Sequence, residues 1–164
     1  MRARYPQRLK GFSYLGCYRY ALRFCTDRRQ RLFVEPATVD LVRSQIARSA
    51  SESAIAVVAY CFMPDHLHLL VEGTSDDSDC RRFIVNAKRY SGFYFAQAFH
   101  MRLWQRYGFE RVLRSGEPTH VVARYILENP IRGGLVSRIQ DYPFVGSLVY
   151  TTQELIHSVC ASPD

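Results

Sequence analysis

The chain has 164 residues, which is long enough for one domain and too short for two. Its residues are 48% hydrophobic and 23% charged, a composition typical of a globular protein. The formal net charge is +7, and 20 of the 22 basic residues are arginine, which favours a nucleic-acid partner unless it reflects arginine-rich codon usage. Five cysteines without a C-x-x-C pair argue against a disulfide framework or cysteine zinc site, and the lack of a long apolar run or signal-peptide core predicts a cytoplasmic protein.

The apolar periodicity predicts alternating strands and helices in the order βαββαβα. In chain order we expect a strand at about residues 14–25, a helix at 36–51, strands at 54–63 and 66–73, a helix at 79–99, a strand at 107–113 and a helix at 117–127. The two central strands are separated only by Pro64-Asp65, so they form an antiparallel hairpin. This order predicts an α+β fold, a ferredoxin-like sandwich with helices packed on a central antiparallel sheet.

We predict a single domain over residues 1–164 with two less regular ends. A basic leader covers about residues 1–12, and an irregular tail covers about residues 145–164. Just before the tail, Tyr142-Pro143-Phe144 is expected to pack back onto the core.

Two histidines one residue apart, His66 and His68, lie in the second strand of the hairpin. Residues i and i+2 of a strand share a face, so both imidazoles project together while Leu67 and Leu69 point to the core. Imidazole is the commonest protein ligand of metal ions, so the pair could form half of a coordination sphere. The alternative is a half-buried strand with two histidines on its wetter face.

The helix near the C-terminus carries a second pattern, Tyr125-Ile126-Leu127-Glu128-Asn129-Pro130. Tyr125 and Asn129 are four residues apart and so lie on one helical face. A phenol can attack a phosphodiester when a metal neutralises the phosphate, and an amide oxygen could bind that metal. Alternatively, Tyr125 packs in the core and Asn129 before proline ends the helix.

Three blocks of the sequence occur together in the order of a known family. The run 63–71, Met-Pro-Asp-His-Leu-His-Leu-Leu-Val, resembles the His-hydrophobic-His (HUH) motif of single-strand DNA nucleases. The runs 103–107 and 125–136 follow as in REP-associated tyrosine transposases, relatives of the single-tyrosine insertion-sequence transposases. Asp65, before the first histidine, departs from many relatives, which have Asn or Glu there.

This resemblance implies a metal-dependent endonuclease and strand transferase that acts near palindromic hairpin DNA. It implies a divalent cation, Mg²⁺ or Mn²⁺, bound by His66, His68 and Asn129. It also implies that Tyr125 attacks DNA to leave a 5′-phosphotyrosine and a free 3′-OH. Tyr90 and Tyr94 are rival nucleophiles, although their spacing on the long helix favours packing.

Several basic residues are candidate DNA contacts. They are Arg2, Arg4, Arg8 and Lys10 in the leader, Lys88 and Arg89 on the long helix, and Arg106 and Arg132 in the matching blocks. The leader could equally be a solvated tail, and Trp104 is expected to belong to the core rather than to stack on a base.

Two alternatives remain open at this point. One is a hairpin-binding protein of the same fold that does not cleave DNA. The other is an unrelated metal-binding or RNA-processing protein on a ferredoxin-like scaffold. The chain could work as a monomer, with Tyr125 acting in cis, or as a homodimer.

Overall fold

The computed structural model describes residues 11–161 and contains one sheet with helices on both faces. Its strands and helices are β1 (Arg19–Cys25), α1 (Pro36–Glu52), β2 (Ile55–Met63), β3 (His66–Gly73), α2 (Cys80–Phe99), β4 (Phe109–Val112), α3 (Thr119–Leu127), α4 (Asn129–Arg132), β5 (Val145–Gly146) and α5 (Thr152–Ala161). No helix within this range is long and apolar enough to span a membrane.

The five strands have the order β4-β1-β3-β2-β5, and all neighbouring pairs are antiparallel. The first four strands in this order have the ferredoxin-like arrangement that the sequence predicts, and β5 extends it at one edge. The α+β prediction with a central antiparallel sheet is therefore confirmed. Strand β3, which carries both histidines, is hydrogen-bonded on both sides.

The alternation of β3 separates two apolar clusters. Leu67 and Leu69 are fully buried in a cluster that includes Phe83 and other residues of α1 and α2. Leu70 points to the opposite face, in a cluster with Val122 and other residues of α3 and α5. Because His66 and His68 have the same parity as Leu70, they lie on the face that α3 covers.

Local sequence signals explain where several elements begin and end. Pro36 occupies the first turn of α1, where its missing N–H costs nothing. Asp79 caps α2, since its Oδ1 accepts a hydrogen bond from the backbone N–H of Arg82 at 2.9 Å. Strand β1 begins later than predicted because Gly16 has a φ of +102°, which interrupts an extended backbone.

The irregular tail predicted for residues 145–164 is wrong over its described part. Val145–Gly146 pairs with β2, and Thr152–Ala161 forms α5, whose Leu155 and Val159 are buried against α3. The helix begins with reciprocal hydrogen bonds between Thr151 and Glu154, which offset the cost of its unpaired N–H groups.

Three smaller predictions concern Tyr142, the end of α3 and Trp104. Tyr142 packs back as expected and donates a hydrogen bond to the carbonyl oxygen of Phe62 at 2.7 Å. Helix α3 ends at Leu127 as predicted, and after Glu128 the short helix α4 begins at Asn129, with Pro130 in its first turn. Trp104 is buried and donates from Nε1 to Ser91 Oγ at 2.8 Å, which confirms its place in the core.

Candidate active site at the histidine pair

The two imidazoles of β3 face each other at close range. The Nε2 atoms of His66 and His68 are 3.0 Å apart. On the other side of the first ring, the Nδ1 atom of His66 is 2.6 Å from Asp65 Oδ1. A carboxylate can only accept, so Nδ1 of His66 carries the hydrogen and its Nε2 presents a lone pair.

Burial keeps both histidines uncharged. Desolvation, together with the neighbouring His66 and Arg23, lowers the pKa of His68 to about 3. Burial also lowers the pKa of His66, although the hydrogen bond to Asp65 opposes this effect. Both rings are therefore neutral at neutral pH, the form that binds a metal ion.

The low pKa of His68 predicts a loss of stability in acid. The unfolded chain takes up a proton on this residue near its ordinary pKa of 6.5, whereas the folded chain does so only near about 3. The free energy of unfolding should therefore fall as the pH drops from about 6.5, by up to about 1.4 kcal/mol per pH unit from this residue. Urea unfolding in EDTA at several pH values between about 7 and about 4 measures the slope.

The His68→Gln variant is the matched control for this slope, because glutamine does not titrate. Its stability should depend less steeply on pH over the same interval than that of the wild type. Equal slopes in the two proteins would contradict the assignment of this acid sensitivity to His68.

The two histidines could supply two of the ligands of a divalent cation. Two ligand atoms that each lie about 2.1 Å from a cation, in adjacent positions of an octahedral shell, are about 3.0 Å from each other. This distance matches the separation of the two Nε2 atoms. Within residues 11–161, no cluster of three or more His, Cys, Asp or Glu side chains could hold a metal ion. A third protein ligand would therefore have to be of another type.

Asn129 is the candidate for a third ligand of another type, and only one of its two amide atoms could bind a cation. Its Nδ2 donates to the carbonyl oxygens of Tyr125 at 3.2 Å and Ile126 at 3.0 Å, which caps the end of α3. These bonds fit the alternative that Asn129 ends the helix. They occupy the amide nitrogen and leave Oδ1 as the atom that could bind a cation.

Tyr125 lies on α3 with its side chain exposed rather than packed in the core. The residue is 59% exposed, and the guanidinium of Arg132 lies 4.0 Å from the centre of its ring. Arg132 also donates to the backbone carbonyl of Tyr125. Tyr125 and His68 line the same cavity, which has a volume of about 460 Å³. The cavity therefore brings together one residue of each predicted half of the site, His68 and Tyr125, whereas His66 and Asn129 do not line it.

Arginines surround the histidine pair. Arg23 lies opposite His68 in the pairing of β1 with β3 and lines the same cavity. The charges of Arg23, Arg29 and Arg132 all contribute to the low pKa of His68. Of these, sequence reasoning found only Arg132, because the register that brings Arg23 to His68 is set by pairing between distant strands. The result is a positive environment suited to a phosphate.

The rival tyrosines lie on the wrong side of the sheet. Both are on α2, which packs on the face opposite to the histidines. Tyr90 donates to Glu52 Oε2 at 2.9 Å, and Arg48 lies over its ring. Tyr94 contacts the ring of Phe93. Neither residue lines the cavity that contains His68.

Apart from Arg132, which lies against Tyr125, the candidate DNA contacts divide into three groups. Lys88 is half-buried and donates to the carbonyl oxygen of Gln105 at 2.9 Å, so it joins α2 to the following loop rather than projecting freely. Arg89 and Arg106 are exposed and line a groove of about 650 Å³ together with Arg102. The leader residues lie outside the described range, and these are Arg2, Arg4, Arg8 and Lys10.

Comparisons of the sequence give two matches to known proteins. A family model described as "Transposase IS200 like" matches residues 16–129. A Haemophilus influenzae protein described as a candidate REP-associated tyrosine transposase is 25% identical over 121 residues, which are 62% of this chain and 64% of that protein. The chain thus matches less than two thirds of the length of that relative.

Solved structures that are similar over most of this chain include two transposases. One is a REP-associated tyrosine transposase bound to a REP hairpin, with a TM-score of 0.68 and 20% identity over 82% of this chain and 79% of that chain. The other is a candidate transposase from Deinococcus radiodurans R1, with a TM-score of 0.51 and 25% identity over 74% of this chain and 97% of that chain. At 20% identity, the first likeness bears on the fold alone.

Proposed function

This chain belongs to the family of IS200-like transposases, and from that membership we propose that it is a metal-dependent single-strand DNA endonuclease and strand transferase. Tyr125 is the nucleophile of this proposal, and His66, His68 and Asn129 hold Mg²⁺ or Mn²⁺. The observation that carries the proposal is the shared cavity of His68 and Tyr125. Because His68 and Tyr125, which both line this cavity, belong to the same chain, the cavity supports a tyrosine that acts in cis.

The proposed reaction is an in-line displacement at phosphorus. The Oη atom of Tyr125 forms a bond to the phosphorus of a DNA phosphodiester, and its proton passes to solvent. The bond from phosphorus to the 3′ oxygen breaks, and that oxygen takes up a proton to become a free 3′-OH. The product is a 5′-phosphotyrosine, and attack by another 3′-OH would reverse the step on a new strand.

The side chains around the cavity have separate tasks in this reaction. A bound cation would neutralise charge on the phosphate and so favour attack by a weak nucleophile. His66 and His68 would supply neutral nitrogen ligands from the most internal strand of the sheet. Arg132, which lies against the ring of Tyr125, would limit its orientations, and Arg23, which lines the cavity, would add positive charge for a bound phosphate.

We propose hairpin DNA with adjacent single strand as the substrate. A solved structure of similar fold is described as bound to a REP hairpin. In this chain, the groove of Arg89, Arg102 and Arg106 offers exposed guanidinium groups that could contact the phosphates of a stem. The groove lies beside the end of β1, since Gln105 donates its backbone N–H to the carbonyl oxygen of Cys25.

A labelled DNA hairpin with single-stranded flanks tests the proposed activity. After incubation with Mn²⁺ or Mg²⁺, a denaturing gel should show a covalent protein–DNA adduct and a shorter strand that ends in a 3′-OH. Both products should be absent in EDTA, because the phosphate charge would not be neutralised. Hairpin binding without an adduct under either metal would instead favour a DNA-binding protein that no longer cleaves.

A further inference from the structure

Arg28 and Arg29 adopt an unusual backbone conformation beside the histidine pair. Their φ angles are 53° and 58°, in the left-handed region that disfavours residues with a Cβ. Such strain persists where surrounding contacts fix it, and it is often found at functional sites. The two residues differ in what their side chains do, since Arg28 is 87% exposed with one loose contact to Asp27 at 3.9 Å.

Arg29, in contrast, is held by two hydrogen bonds. Its Nε donates to Asp65 Oδ2 at 2.8 Å, and its Nη1 donates to Cys25 Sγ at 2.8 Å. Asp65 uses its other oxygen, Oδ1, to accept from His66 Nδ1 at 2.6 Å. A continuous hydrogen-bonded series therefore leads from Arg29 through Asp65 to His66, whose Nε2 meets His68 at 3.0 Å.

We propose that Asp65, fixed by Arg29, is a positioning residue that sets the tautomer and ring orientation of His66 for divalent cation binding. The carboxylate retains the hydrogen on Nδ1, so that the Nε2 lone pair faces the cation position. Arg29 fixes the carboxylate in turn, because rotation of Asp65 would break the bond to Arg29. This inference rests on the proposed function, in which His66 is a metal ligand.

The turn between β2 and β3 is also held by hydrogen bonds that do not involve the side chain of Asp65. The backbone carbonyl oxygen of Asp65 accepts from Thr26 N at 3.0 Å and from Thr26 Oγ1 at 2.9 Å, and that of Pro64 accepts from Phe33 N at 3.0 Å. These bonds survive replacement of the carboxylate. Variants at the side chain can therefore separate an effect on His66 from an effect on the fold.

Calorimetric titration with Mn²⁺ alone measures the effect on the metal site. Asp65→Ala should weaken Mn²⁺ binding by about 10- to 100-fold, the range found for such supporting residues. Asp65→Asn should lose less Mn²⁺ affinity than Asp65→Ala, because its amide oxygen can still accept a hydrogen bond from His66 Nδ1. Arg29→Met should also lose less affinity than Asp65→Ala. Arg28→Met is the matched control and should bind Mn²⁺ like the wild type.

Nitrogen-15 NMR of the imidazoles without metal gives a second measurement. Its result would not change if Asp65 only stabilised the fold. The wild type should show His66 in the Nδ1–H tautomer, and Asp65→Ala should populate the Nε2–H tautomer. The melting temperature of Asp65→Ala should stay near that of the wild type while its Mn²⁺ affinity and the His66 tautomer change.

The outcomes separate this inference from the proposed function. Equal Mn²⁺ affinity and an unchanged tautomer in Asp65→Ala would overturn the role of Asp65 while leaving the metal site in place. A wild type that binds no Mn²⁺ would overturn both.

Discussion

Replacing Tyr125 with phenylalanine should abolish the covalent protein–DNA adduct, lowering its rate of formation by at least about 10³-fold. Phenylalanine has no oxygen that can attack phosphorus, and water offers no route to a protein-linked product. The phenyl ring can still lie beneath Arg132, and the residue is 59% exposed, so the fold should remain stable. Quantifying the adduct on a denaturing gel, with hairpin binding measured in parallel, checks this result.

Tyr90→Phe and Tyr94→Phe are the controls for this experiment. Both residues lie on α2, on the far side of the sheet, so both variants should form the adduct at the wild-type rate. Tyr90→Phe loses a partly exposed hydrogen bond to Glu52, which should affect stability only slightly. An adduct that persists in Tyr125→Phe and disappears in one of these variants would identify a different nucleophile.

Removing either imidazole of the pair should have the second largest effect. His66→Ala and His68→Ala should each reduce metal-dependent cleavage by about 10²-fold or more, since one of few protein ligands is lost. Hairpin affinity should change little, because the arginines that could bind phosphate are retained. Cleavage assays over a range of Mn²⁺ concentrations, with binding measured in EDTA, distinguish these two quantities.

His120→Ala is the matched control, because His120 is exposed on α3 and does not line the cavity of His68. It should retain both cleavage and its dependence on Mn²⁺. Full metal-dependent cleavage in both His66→Ala and His68→Ala would refute the assignment of the cation to this pair.

Much of the fold could be predicted because local patterns agree with the tertiary structure. The alternation around His66 and His68 placed both on one face without any knowledge of the partner strands. The short turn at Pro64-Asp65 required antiparallel neighbours. The helix α5 was missed, although Thr151 and Glu154 form a capping box before Leu155 and Val159. Its sequence signal was therefore present.

The surroundings of the histidines could not be predicted in the same way. Arg29 and Asp65 are 36 positions apart, and their contact depends on a left-handed turn of two arginines. Arg23 reaches His68 only through the register of β1 with β3. Lys88 has the position of a surface lysine in its helix, yet the loop after α2 covers it. In each case the determining contact is distant in sequence.

The position of β3 in the middle of the sheet has a consequence for motion. Its amides are bonded to β1 and β2, so opening it would disrupt the sheet as a whole. Helix α3 is joined to the sheet and α5 by side-chain packing, which includes the buried Val122, Ile126 and Leu127, and not by the hydrogen bonds of the sheet. We therefore expect α3 to open at a lower free energy than β3. In the proposed reaction, a DNA strand joined to Tyr125 would then move with α3 against a stationary pair of imidazoles.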